Sequence, residues 1–484
     1  MPPVIDHECS LVGYINEQEK QIDKLRRENE QLKKALIGPK SERSKLPRVE
    51  RAIGAPAISA EARQATRSKR AKAKEQLRTV KVEHKVPAEK RSCPQCGNAK
   101  LDALGEGRTT VVYEYIPAEV VRVEHVQEVL RCRCGGHIVT APGAPKVIEQ
   151  GHYGASLLSH LVVAKCVDSI PIYRLEKEFQ RQEIPIARST LNELFHRAAD
   201  VLSPVSRRLL ELIRTRDLVQ ADETRMRLLD GGDGKPRNGF IWTFLAADAN
   251  GQHDIAYRFT ADRSGETPRN VLGGTAGTLL VDAYSGYNSV SNVSTRERAG
   301  CHAHLRRYFH ESLPTAPAAQ EAIDQILDLY RVEHEAKELG IVRSAEHLAL
   351  RREKSTPVRG RLKLWLDTQA ALHPPKSPIG TAIRYGLNHW DALGRFLDDS
   401  RIPLDNNASE RALRRVALGR KNFLFVADVS SGENIAGLYS VVATCEARGI
   451  NPFEYLVDVI ARIGDHPANK LDELLPAAWA AARP

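Results

Sequence analysis

A multidomain α/β protein is predicted by three observations. The chain has 484 residues, more than one hydrophobic core usually organises. Its first 150 residues pass from a heptad segment through a basic tract to paired cysteines. From residue 217 onward, short β-like runs separated by Gly, Asp and Asn give way to long amphipathic stretches. Hydrophobic content of 42% and charged content of 27% are those of an ordinary globular protein. No apolar run reaches the roughly 18 residues of a membrane span, and "MPPVIDHECS" lacks the basic-then-apolar start of a secretion signal. A cytoplasmic location without a membrane partner is expected.

Residues 1–40 contain "INEQEKQIDKLRRENEQLKKALIG". Placing Ile15, Ile22, Asn29 and Leu36 at heptad position a puts Gln18, Leu25 and Leu32 at d, a leucine-zipper-like stripe of three heptads. An Asn at one a position favours a parallel dimer in register, so Asn29 points to a homodimer or higher oligomer. The alternative is an amphipathic helix packed on its own chain. Residues 41–92 hold fifteen Lys or Arg against six Asp or Glu and carry nearly all of the net charge of +10. Few large apolar residues and no aromatic among them predict a basic flexible linker, which attracts polyanions by releasing their condensed counterions. Residues 93–145 form a cysteine-pair module, with Cys93 and Cys96 in "CPQCG" and Cys132 and Cys134 in "CRCGG" at the ends of a β segment. Four thiolates suit a structural, zinc-ribbon-like Zn²⁺ site, in which His137 is an alternative ligand to one Cys. Disulfides are the rival, disfavoured in a reducing compartment. Cys9, Cys166, Cys301 and Cys445 stand apart and read as buried thiols.

Residues 152–216 are amphipathic and helical in pattern, and "EKEFQRQEIPIARSTLNELFHRA" has the helix, short turn and second helix of a helix-turn-helix. Arg188, Ser189, Thr190 and Asn192 fall at the start of its second helix, where bases or phosphates are contacted in DNA-binding versions of the motif. Helical hairpins of this form also occur without DNA. Next come the strand-like runs "LVQADETRMRLL", "GFIWTFLAADA" and "DIAYRFTADR", a short helix from about 266 to 273, and a fourth strand, "TLLVDAY". That order is shared by ribonuclease-H-like folds, an analogy of order alone. Strand alternation puts Leu218, Gln220, Asp222 and Thr224 on one face and Val219, Ala221 and Glu223 on the other. Asp282 closes an apolar run. An acid at the end of a buried strand needs a metal, hydrogen bonds or solvent, or else is a simple turn residue.

The motifs "ADETRMRLL", "LLVDAYSGYN", "AGCHAHLRRYF" and "PLDNNASERALRRVALGRKNFLF", in that order, resemble those of the insertion-sequence 66 family of bacterial transposases. The resemblance extends to the zipper, "IGPKSERSK", the cysteine module, "PIYRLEKEFQRQEIPIARSTL" and the closing "GINPFEYLVDVIARIGDHPANKLDELLP". It implies a DDE transposase that cleaves insertion-element ends and joins their 3′-OH ends to target DNA. Residues 217–430 would then be a ribonuclease-H-like catalytic domain with a helical insertion at about 315–375, and residues 431–484 a helical C-terminal element. Asp222, Asp282 and Glu410 would be its metal triad, while Cys301, His302, His304, Arg306 and Arg307 would line or support the site, as would Asn406 and Asn407. Double-stranded DNA is the implied partner, as element ends and as target, together with accessory proteins encoded by the element. The second cysteine pair is one residue shorter than the family's usual C-x-x-C.

Phosphodiester transfer explains these residue types. An oxygen nucleophile must be activated, charge on the transition state stabilised and the leaving 3′ oxygen assisted, and two Mg²⁺ (or Mn²⁺) ions about 3.5–4 Å apart can supply all three. Such hard cations take oxygen ligands, which carboxylates provide. Glu410 has a second reading: with Asn407 as N-cap it would occupy N3 and close a capping box. With the helix beginning at Asp405 or Asn406 instead, it would face the sheet with Leu413, Arg414 and Ala417. Arg411, Arg414, Arg415, Arg420 and Lys421 follow on the same helix and its exit, as a DNA backbone passing the metals would need, or as a solvated basic face. Two rivals remain: a non-catalytic, zinc-stabilised dimeric DNA-binding regulator, and a metal-dependent nuclease without strand transfer.

Overall fold

The computed structural model describes residues 120–126, 128–131, 138–140, 147, 153–229, 235–291 and 295–483, with isolated helical positions at Gln64, Ser68 and Lys72. The heptad segment, most of the basic tract, Cys9, Cys93, Cys96, Cys132, Cys134 and His137 lie outside them. Two compact units divide the chain at Arg108 and Thr109, and the described elements belong to the second.

A short antiparallel ribbon pairs β1 (Val129–Arg131) with β2 (Ile138–Thr140). Three helices follow, α1 (Ala155–Cys166), α2 (Ile172–Arg181) and α3 (Arg188–Arg214). The helix-turn-helix pattern thus appears as α2, a six-residue turn and α3. Ala187 is the α3 cap and offers no side-chain bond, so Ser189 and Thr190 lie within the first turn. Strands β3 (Leu218–Leu228), β4 (Arg237–Ala247) and β5 (His253–Thr260), helix α4 (Glu266–Leu272) and strand β6 (Gly277–Leu280) come in the expected order. A further strand, β7 (Arg296–Ala299), was not legible in the sequence.

The sheet is mixed, in the order β5-β4-β3-β6-β7. β3 pairs antiparallel with β4, β4 with β5, whereas β3–β6 and β6–β7 are parallel. The long central strand β3 is where the two senses meet. After β7 the chain is helical: α5 (His302–Ser312), α6 (Ala319–Glu338), α7 (Ala345–Leu350), a π turn at Arg351–Ser355, α8 (Thr356–Leu372), α9 (Pro378–Asn388) and a 3-10 turn at Ala392–Leu397. The helical stretch therefore runs past the expected boundary near 375. Leu305, Phe309, Ile326, Trp365 and Ile379 give it a core of its own. Leu329, Val358, Phe396 and Leu404 join it to β6 and β7 through Leu280 and Ala299.

Helix α10 (Asn407–Phe423) returns to the sheet, and its exit strand β8 (Phe425–Val426) pairs with the end of β3. Helices α11 (Val429–Ala447), α12 (Pro452–Arg462) and α13 (Pro476–Ala481) complete the chain. One face of the sheet, through Met226, Leu228, Ile241, Tyr257 and Phe259, shares a single core with α1–α3 and α10–α13. The helices before the sheet and those at the C-terminus are thereby one packed layer. The other face buries Val219, Ala221, Trp242 and Phe244 against α4 and the 3-10 turn Ser285–Val290. Among the described residues, no helix is long and apolar enough to cross a membrane. Cys166, Cys301 and Cys445 are free buried thiols.

Helix α11 is fastened to the β4–β5 turn by Arg448, whose side chain is 5% exposed. It donates to Asp254 Oδ1 at 2.9 Å and to Asp248 Oδ2 at 3.0 Å. Removing one member of such a group leaves the other charges without their partner. Arg448→Met is expected to destabilise the protein by about 3 kcal/mol, read as a lower urea midpoint, and an unchanged midpoint would show that the aspartates find other partners.

Candidate active site

Asp222 lies on the central strand β3, and its Oδ1 accepts the Glu223 backbone N–H at 2.8 Å. Burial pushes its carboxyl up to about 7, and the nearby acids Glu223, Asp282 and Glu410 push in the same direction. Asp282 follows β6 by two residues, and its Oδ1 accepts the Tyr284 N–H at 2.9 Å in an Asx turn. The parallel pairing of Gln220 with Leu280 sets Asp222, midway along β3, level with Asp282 just past the end of β6.

Glu410 comes from α10, and the start of that helix decides between its two readings. Asn406 is the N-cap and Asn407 the first helical residue, with no side-chain capping bond, so Glu410 is one position too far along for a capping box. Asn406 is instead fully buried. Its Nδ2 donates to Ala221 O at 2.8 Å, its Oδ1 accepts from Ser409 Oγ at 2.7 Å, and its backbone N–H meets Cys301 Sγ at 3.3 Å. A single amide thus pins the α10 N-terminus to the residue before Asp222. Asp405 secures the approach, accepting from Tyr330 Oη at 2.9 Å and from the Asn407 N–H at 3.1 Å. The buried stripe of α10 is Ser409, Leu413, Val416 and Gly419, so Arg414, expected against the sheet, is exposed.

Helix α5 closes the cluster. Arg307 Nη2 donates to Glu410 Oε1 at 3.2 Å, and His304 Nε2 lies 3.8 Å from the same oxygen. Burial lowers the His304 pKa and favours the neutral ring. His302 is structural: it is buried, its Nδ1 is 3.0 Å from Leu404 O, and burial lowers its pKa to about 4. Arg306 is exposed.

The five cations of α10 divide. Arg415 donates to Cys166 O at 2.9 Å and pairs with Glu446. Arg420 donates to Thr224 Oγ1 at 2.8 Å and to Arg225 O at 2.7 Å. Both therefore fasten the helix to its neighbours, contrary to the expectation that they face DNA. Arg411, Arg414 and Lys421 are exposed, as are Arg188, Ser189 and Asn192 on α3, where Thr190 is half-buried.

Sequence reasoning missed Glu223, Arg263 and Tyr287. Alternation put Glu223 on the opposite face from Asp222, yet its charge acts on Asp222 and it bonds residues from two loops. The only signal was the adjacency of two acids in "ADET".

Asp222, Asp282 and Glu410 offer only carboxylate oxygens, a hard donor set suited to Mg²⁺ or Mn²⁺. Among the described residues, no three His, Cys, Asp or Glu side chains are gathered closely enough to hold a metal as they stand. Glu410 is engaged by Arg307, with which a cation would compete. A carboxyl whose pKa rises on folding holds a proton that the unfolded chain has lost, so metal-free stability falls as pH climbs from 3.8 to about 7 and then levels off. Asp222→Asn is expected to stabilise the metal-free protein by about 1–3 kcal/mol at pH 8, an advantage that disappears below pH 3.8. Denaturant unfolding at several pH values checks this, and a destabilised variant at pH 8 would contradict it.

Known proteins carry the same sequence features. The transposase IS66 family matches residues 150–434, the IS66 C-terminal element residues 440–477, and the zinc-finger binding domain of transposase IS66 residues 90–135. Two Sinorhizobium fredii relatives are the uncharacterized proteins y4hP and y4jD. The first is 32% identical over 418 residues, covering 80% of this chain and 73% of the relative. The second is 33% identical over 413 residues, covering 82% and 80%. The family match spans the sheet, the helical stretch and α10, and with it all three acids, so the chain belongs to the IS66 family of transposases.

Proposed function

We propose that this protein cleaves the ends of an insertion element and joins the freed 3′-OH ends to target DNA, with Asp222, Asp282 and Glu410 as its metal-binding carboxylates. The observation that carries the reading is the electrostatic convergence of these three acids, from a central strand, a neighbouring strand end and a helix, in a chain of a transposase family. The order of strands and helices around them supports a ribonuclease-H-like core.

Bound at the three carboxylates, two divalent cations would activate the attacking oxygen and neutralise charge on the phosphoryl group and the leaving 3′ oxygen. The protein's own residues hold and orient. Asn406 fixes Glu410 beside the aspartates, and Arg307 offers a guanidinium to phosphate oxygens where it now meets Glu410. Arg411, Arg414 and Lys421 on the outer side of α10 would track the DNA backbone, and Arg188, Ser189, Thr190 and Asn192 would contact it from the first turn of α3. In the N-terminal region, Cys93, Cys96, Cys132 and Cys134 would hold a structural Zn²⁺, and the heptads would pair two copies.

A donor DNA with a pre-cut 3′-OH element end, a target plasmid and Mg²⁺ separate joining from hydrolysis. Joined product is expected from the intact chain, supplied with accessory proteins of the element, and Asp282→Ala and Glu410→Ala should each lower it by more than about 100-fold while DNA binding persists. Cleavage without joining would identify a nuclease, and DNA binding without either reaction a regulator.

A further inference from the structure

Glu223 is a carboxylate without freedom. Its side chain is 2% exposed, although it neighbours the site. Tyr287 Oη donates to its Oε2 at 2.6 Å. Arg263 reaches its Oε1 with both Nε, at 2.8 Å, and Nη2. Both oxygens are therefore committed within the protein, which makes Glu223 a poor direct ligand and a good strut.

The two donors belong to two different loops. Tyr287 lies in the 3-10 turn that follows Asp282. Arg263 lies between β5 and α4, and its guanidinium stacks 3.9 Å over the ring of Tyr284. Tyr284 Oη donates back to Arg263 O, and the Tyr284 N–H is the donor to Asp282 Oδ1. The connection is thus continuous: Asp222 and Glu223 are consecutive on β3, Glu223 holds Tyr287 and Arg263, and Arg263 holds the residue that orients Asp282. Tyr287 also packs edge-on against Trp242 of β4, with ring centroids 5.9 Å apart, so the turn cannot slide without breaking an apolar contact.

We propose that Glu223, clamped by Tyr287 and Arg263, is a positioning residue that sets the spacing of Asp282 from Asp222 and thereby the affinity of the site for a divalent cation. This rests on the reading of Asp222, Asp282 and Glu410 as metal-binding carboxylates. An outer network of this kind acts by fixing its inner ligands, and its loss typically costs about 10–100-fold in metal affinity.

The test measures Mn²⁺ binding to the full chain by the electron paramagnetic resonance signal of free Mn²⁺, with Asp222→Ala defining the background from any other Mn²⁺ site. Tyr287→Phe removes one hydroxyl and keeps the aromatic packing, while Arg263→Gln changes a side chain that is 43% exposed. Both are expected to weaken the Asp222-dependent Mn²⁺ binding about tenfold or more in protein that still unfolds cooperatively, with a lower midpoint for Arg263→Gln because it leaves the buried Glu223 without its cation. Parent-like affinity in both variants would overturn the positioning role while leaving the carboxylate site intact. Parent-like affinity in Asp222→Ala would instead overturn the carboxylate site, and the positioning role with it. Should Tyr287→Phe unfold, Arg263→Gln alone decides.

Discussion

The arrangement of the candidate site depends on one buried amide. Asn406 donates to Ala221 O, a partner 185 residues earlier in the chain, and accepts from Ser409 within its own helix. Everything between those two points, including the rest of the sheet and the helical stretch with its separate core, is a detour that must close to within hydrogen-bond distance. An apolar residue at 406 would leave a buried carbonyl without its donor and the first turn of α10 without its anchor. Glu410 stands one turn further along that helix, so its position relative to β3 is inherited from Asn406.

Around this anchor, stability and chemistry pull in opposite directions. The core on each face of the sheet is apolar and continuous, as strand alternation requires. Midway along β3 the same sheet carries Asp222 and Glu223 in a setting that penalises charge. Arg307 and Arg263 each neutralise one acid, Glu410 and Glu223 respectively, while Asp222 lacks a cation of its own among the residues bonded to it. The proposed cation site takes its support from this cluster of acids packed against its own repulsion.

Much of this was legible from periodicity. The strand and helix order from 217 to 280 followed from short strand-like runs between turn residues, Asp222 falls on its strand by counting alternate positions, and Asp282 follows the apolar run that forms β6. Three features were not legible, each because it depends on tertiary contacts. Strand β7, "RERA", has no apolar pattern, since it carries Arg296, whose buried guanidinium donates to backbone carbonyls at 214 and 216. Arg415 and Arg420 looked like the exposed cations beside them, and only the packing of α10 reveals their internal acceptors. Glu223 was assigned away from Asp222 by alternation, which is correct for direction and silent about the loops that reach around to bond it.

The proposed function requires that Asp222, Asp282 and Glu410 together bind the divalent cation that drives phosphodiester transfer. A crystal of the protein soaked in Mn²⁺ and measured for anomalous scattering tests it directly. An anomalous peak in contact with carboxylate oxygens of all three residues is expected, with Glu410 released from Arg307. Manganese bound elsewhere, with Glu410 still paired to Arg307 and no peak at the aspartates, would contradict it.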